Sequence, residues 1–214
     1  MRTRIVSIVE GHGEVATMPI LLQKVATHVH PECVLDHVTP LPLAKGKIIN
    51  NESDFSRYIG LAVDQAGEEG AVLVLVDEDE DCAKKLLDSI HKIAAVENCP
   101  IPLAIVFSTR CFETWFLFSA ASLAGKRNFP RDMCPPEDPE TIQNPKGWLE
   151  EQHSHNTGRD KKWRYSGPAD QPGLTDALAI NLARKSASFD KLYREVKRLL
   201  DLNDMHESDA PNDA

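Results

Sequence analysis

Along this 214-residue chain, apolar positions switch between two spacings. Thr3 to Val9 (TRIVSIV) is a short β-branched run and predicts a first strand; Met18, Leu21, Leu22, Val25 and Val29 then recur at helical spacing. Pro19 is expected in that helix's first turn, where its missing N–H does no harm. Val34 to Thr39 reads as a second strand, followed by a long loop marked by Pro40, Pro42, Gly46 and Asn50-Asn51. Phe55 to Gln65 suits a helix ended by Gly67 and Gly70. Ala71 to Val76 is unbroken and rich in Val and Leu, as in a strand buried on both faces. A helix carrying Cys82, Leu86, Leu87, Ile90, Ile93 and Ala94 leads to a fourth strand, Leu103 to Phe107. Strands alternating with helices predict an α/β fold: a mainly parallel four-stranded sheet, flanked by helices and joined by right-handed crossovers.

The pattern changes after Phe107. Residues 108–117 begin a helix that is apolar on most sides, so Trp115 and Phe116 are expected in the core. Residues 124–175, rich in Pro, Gly and polar groups, predict an irregular insertion with at most a short helix near Trp148. Two helices, about 174–184 and 188–201, close the fold. The expected organisation is a core over 1–122, an insertion and C-terminal helices over 123–203, and a disordered acidic tail over 204–214.

Charge changes this picture at one place. The chain carries a formal −9, and the run Asp77-Glu78-Asp79-Glu80-Asp81 holds five acids directly after the most apolar strand. The tail from Asp201 holds five more, and setting both aside leaves the remainder at +1. Net charge therefore does not exclude a nucleic-acid partner. Five scattered cysteines without a CxxC pair argue against a disulfide framework or a structural zinc. No apolar run approaches the roughly 20 residues of a membrane span, and the N-terminus lacks a signal-peptide layout, so a cytoplasmic protein is expected.

In open parallel sheets, ligands bind outside the carboxyl ends of the strands. The acidic run occupies such an end, and Glu10-Gly11-His12-Gly13-Glu14 follows the first strand at another. Alternation along an extended segment would turn Asp77 and Asp79 to one side and Glu78 away. With Glu10 they suit Mg²⁺ or Mn²⁺, hard ions that accept a few carboxylates, waters and phosphate oxygens. Asp81 is a further candidate ligand, and Glu113, after the fourth strand, could serve a second metal or simply favour a helix N-terminus. Gly11 and Gly13 allow close approach of backbone to an anion, and His12 sits within their turn. The stretch Arg159-Asp160-Lys161-Lys162-Trp163-Arg164-Tyr165 interleaves cations and aromatics as in nucleic-acid contacts, or forms a solvated loop. His153-Ser154-His155 and His28-x-His30 read as surface histidines rather than zinc ligands.

Taken together, Val9-Glu10-Gly11-His12-Gly13-Glu14, Val76-Asp77-Glu78-Asp79, Phe112-Glu113-Thr114-Trp115 and Ser188-Phe189-Asp190-Lys191-Leu192 resemble the TOPRIM-like proteins of domain of unknown function family 4276, relatives of the overcoming-lysogenization-defect nucleases. The resemblance implies a TOPRIM-like fold and a metal-dependent nuclease. Glu10 would be general base or first metal ligand, grouped with Glu14; Asp77 and Asp79 would hold Mg²⁺; and a downstream lysine, Lys161 or Lys162 with Lys146 behind them, would offset charge on the phosphate. It also implies a bacterial phage-defence role beside an ATPase; the sequence shows no ATP-binding loop, so any ATP dependence is expected to come from that partner. Two rivals stay open: a non-catalytic subunit that docks on or regulates an ATPase, and a Mg²⁺-dependent phosphatase or phosphotransferase. The sequence leaves homo-oligomerisation open.

Overall fold

The computed structural model describes residues 2–79, 83–154 and 163–208. Glu80, Asp81, Cys82, Arg159, Lys161 and Lys162 lie outside the described residues. A four-stranded parallel sheet runs in the order β4 (Leu41–Pro42), β2 (Ile5–Val9), β5 (Ala71–Asp77), β6 (Leu103–Ser108). β1 (Arg2–Thr3) and β3 (Val34–Leu35) form a separate parallel pair. Of the second strand expected over Val34–Thr39 only Val34–Leu35 is strand, and β4 lies beyond it in the expected loop. Arg2 faces Val34 but Ile8 faces Leu41, so the returning segment carries one extra residue and leaves the edge of β2 between them.

Alternation along the strands feeds two cores. Ile5, Val9, Leu73, Leu75 and Val106 face α1 (His12–Val29) and the C-terminal helices. Val6, Ile8, Val72, Val74 and Val76 face α3 (Glu52–Ala66) and the residues around α4 (Ala83–Ile90) and α5 (Ala94–Glu97). A sheet buried on both faces needs unbroken apolar strands, as β5 is. The architecture is that of Rossmann-like folds.

Several expectations need correction. Pro19 lies inside α1 rather than in its first turn, because the helix already begins at His12. The loop over Pro40–Asn51 contains α2 (Lys45–Asn50), and the helix after β6 is cut into α6 (Thr114–Phe118) and α7 (Ala120–Leu123). The insertion is far more helical than its composition suggests, with α8 (Pro145–Ser154) and α9 (Gly167–Ala177). Pro168 sits where a helix start tolerates it, and packing on α1 holds the remainder of α9 despite Pro172. After α10 (Ile180–Ala183), α11 (Ala187–Ser208) extends five residues into the tail expected to be disordered.

Trp115 and Phe116 are fully buried, as expected. The Trp115 indole N–H donates to Ser188 Oγ at 2.9 Å, and its ring meets Phe189 edge to face at 5.2 Å. Ser188 Oγ also accepts from the Thr109 backbone N–H at 3.2 Å. The closing Ser-Phe pair and the Glu-Thr-Trp segment, distant in sequence, are therefore one packing unit behind the end of β6.

Candidate functional site

Three strand ends build the site. β2 pairs with β5 as far as Val9 and Leu75, and beyond that rung Glu10 Oε2 accepts from the Asp77 N–H at 3.2 Å. Asp77 lies opposite Ser108, and its Oδ1 accepts from the Ser108 hydroxyl at 2.5 Å and from the Phe112 N–H at 3.0 Å. The tight turn between Phe112 and α6 then turns Glu113 inward, 2% exposed. Glu14, in the first turn of α1, completes the group.

These carboxylates act on one another. Burial pushes the Asp77 carboxyl up to about 8 against the Ser108 hydrogen bond, with Glu113, Glu14 and Glu10 adding repulsion. Glu10 is also raised, by burial first and then by Asp79 and Glu14, while the Asp77 N–H and Lys45 oppose this. Glu113 Oε2 is buried without a hydrogen-bond partner. The nearest cation is Lys146, its Nζ 3.7 Å away and too far for a hydrogen bond. Burial works against the Lys146 charge, yet Glu113, Cys111, Asp77 and Glu14 together hold its pKa above the ordinary value. The Tyr165 hydroxyl faces Glu113 without closing a hydrogen bond of ordinary geometry, and burial followed by that carboxylate keeps the phenol protonated. Burial, then Glu113 and Asp77, likewise keeps Cys111 a thiol.

Asp79 departs from the expected alternation. Its φ of +54° ends the extended segment, its N–H donates to the Arg110 carbonyl at 2.9 Å, and its exposed carboxylate takes Lys45 Nζ at 2.8 Å. Lys45 also donates to the Glu78 carbonyl at 2.9 Å. Asp77 and Asp79 therefore have different partners, and the simple picture of two side chains turned together to one ion does not hold.

The two glycines serve packing. Gly11 has an ordinary extended conformation, and a Cβ there would lie 2.5 Å from Glu14 Oε2. Gly13 is buried against α9: an added Cβ would lie 2.4 Å from Gln171 Oε1 and 3.2 Å from the Gly167 backbone. Gln171, fully buried, donates from Nε2 to Glu14 Oε1 at 3.1 Å, and its Oε1 accepts from Thr17 Oγ1 at 3.4 Å. His12 stays exposed. Arg164, in the basic stretch, is paired with Glu150 at 2.8 Å, and Tyr165 turns inward towards Glu113. His153, expected at the surface, is 6% exposed and stacks on Trp163 with centroids 4.3 Å apart.

The structure thus brings Glu10, Glu14, Asp77 and Glu113 together with Lys146, and sets Asp79 and Lys45 beside them. Lys45, Ser108 and Gln171 are additions that the sequence reading missed; Ser108 alone had a visible cue, directly after a predicted strand. Among the described residues no three His, Cys, Asp or Glu side chains form a ready-made metal cage. The donors nevertheless suit a hard divalent cation, since they are carboxylate oxygens short of positive charge and one of them, Glu113 Oε2, is buried and unpartnered. The four described cysteines are free, and no described helix is long and apolar enough to cross a membrane. No protein-family model, curated protein or solved structure matches the chain.

Proposed function

We propose that the chain is a TOPRIM-like, metal-dependent phosphodiesterase acting on DNA or RNA. One observation carries the reading: Glu10 and Asp77, both half-buried, and the fully buried Glu113, delivered by three different strand ends, form a single mutually repelling group. Folding tolerates such a group where a function needs it. Glu10, Asp77 and Glu113 would hold Mg²⁺ or Mn²⁺, with Asp79 and Glu14 at its margin. The ion would polarise a phosphodiester and make water acidic enough to attack it. Ser108 and the Phe112 N–H fix the orientation of Asp77. Glu10, held by the Asp77 N–H at the edge of the group, would either hold the ion or take a proton from the attacking water. Lys146 offsets charge that develops on the phosphate. Lys146 is assigned this role because it stands beside Glu113; Lys161 and Lys162 lie outside the described residues. Following the family resemblance, a partner ATPase supplies any dependence on ATP, and the setting is phage defence.

A non-catalytic docking role has one observation in its favour, namely that Lys45 already occupies Asp79. Cleavage of labelled DNA and RNA oligonucleotides with Mn²⁺ by wild type, Glu10→Gln and Asp77→Asn separates the two. Cleavage should fall on the order of 100-fold or more in either variant. Undiminished cleavage in a variant, or none by wild type, overturns the enzymatic reading.

A further inference from the structure

We propose that the cleft between the ends of β5 and β6 and the start of α8 is a docking groove for the phosphodiester backbone of a nucleic-acid strand, with Arg110 and Lys146 as its phosphate contacts. The inference rests on the phosphodiesterase reading and extends it to how the substrate is held. The cleft encloses about 250 Å³ and is lined by Asp79, Arg110, Cys111, Gln143, Asn144, Pro145 and Lys146. It adjoins the carboxylate group through Asp79 and through Lys146, whose Nζ lies 3.7 Å from Glu113.

Arg110 is built into this wall. It has φ +62°, a conformation unusual for a side chain larger than glycine, and its carbonyl accepts the Asp79 N–H. Its Nε donates to the Glu140 carbonyl at 2.7 Å and its Nη1 to Gln143 Oε1 at 2.9 Å. Both acceptors are neutral, so among the described residues the guanidinium is oriented without being neutralised, and Nη2 has no protein partner there. A fork fixed this way is preorganised for a phosphate. Lys146 is half exposed on the other side, and Asn144 fixes the start of α8 by accepting from the Gly147 N–H at 2.9 Å.

The placement answers an electrostatic difficulty. A polyanion is repelled by Glu10, Glu14, Asp77 and Glu113, so it needs a lane of positive charge ending at their edge. The basic stretch supplies little of it among the described residues, because Arg164 is spent on Glu150.

The test is fluorescence anisotropy with short labelled DNA and RNA strands over a salt series, comparing wild type, Arg110→Gln, Arg110→Lys, Lys146→Gln and Lys197→Gln, with Tm confirming that each folds. Loss of one phosphate contact lowers the slope of log K against log salt by about 0.7–0.9. Arg110→Gln and Lys146→Gln should each show that fall and bind several-fold more weakly. Arg110→Lys should keep the slope with reduced affinity, and Lys197→Gln, outside the cleft, should match wild type. Wild-type binding that both glutamine variants retain overturns the groove and leaves the enzymatic reading standing. Binding that depends on Arg110 and Lys146 without metal-dependent cleavage supports the groove and overturns the enzymatic reading. A wild type that binds neither strand overturns both.

Discussion

Replacing Asp77 by Asn should make the metal-free protein more stable, although the residue stands at the centre of the proposed site. The substitution keeps the Oδ1 that accepts from Ser108 and the Phe112 N–H and removes only the charge. A pKa unit corresponds to about 1.4 kcal/mol. A carboxyl titrating at about 8 instead of 3.8 therefore costs the fold at most about 4 kcal/mol at pH 7. Asp77 is only partly buried, so water screens its charge and roughly half of that, about 2 kcal/mol, is expected. In a chain of this length that raises Tm by about 4–8 °C. The sign follows from proton counting. Between 3.8 and about 8 the native state keeps a proton that the unfolded state has lost, so wild-type stability is highest below this window and falls as pH rises through it. Urea denaturation of both proteins at pH 5, 7 and 8.5 should show their stabilities diverging with pH. Mn²⁺ at pH 8.5 should raise the wild-type Tm and leave Asp77→Asn unmoved. A variant that is no more stable than wild type at pH 8.5 would refute the argument that Asp77 is held against its electrostatic preference.

Gly13→Ala should destabilise by about 1–3 kcal/mol, since its Cβ meets Gln171 and the Gly167 backbone where neither can retreat freely; Gly46→Ala, with open space around it, is the control in the same denaturation series. His153 has a pKa held below its ordinary 6.5, chiefly by burial. Its contribution is complete above 6.5 and lost as pH falls below it, so wild type should weaken on acidification more than His153→Phe, followed by Trp fluorescence. Equal acid sensitivity of the two proteins would show that the stacked imidazole is not the group responsible.

Most of the sheet was legible because a strand buried on both faces leaves a mark that depends on few residues. Val72 to Val76 could hardly be anything else, and the acids after it had to fall at the sheet's edge. Glu10 and Glu113 were legible for the same reason, each following a strand or the turn behind it. α9 was not. Gly167, Pro168, Pro172 and Gly173 describe a loop by every local rule, and the helix exists because Gly13 and Gly167 let two backbones come close enough for Gln171 to reach Glu14. That information is tertiary. Asp79 was misread because period-two alternation assumes extended backbone, whereas a single positive φ redirected the side chain to Lys45. Lys45 itself was hidden in a segment whose prolines and glycine suggested only loop.

The clasp between α1 and α9 also imposes an order of assembly. Glu14 and the amide that orients it, on Gln171, are 157 residues apart in sequence. During synthesis the sheet can gather Glu10, Asp77 and Glu113 while α9 is still inside the ribosome, and in that interval α1 has a bare glycine face and an unguided carboxylate. The arrangement of acids therefore reaches its final form only once α9 has joined α1, and a chain cut short before Gln171 lacks the amide that orients Glu14.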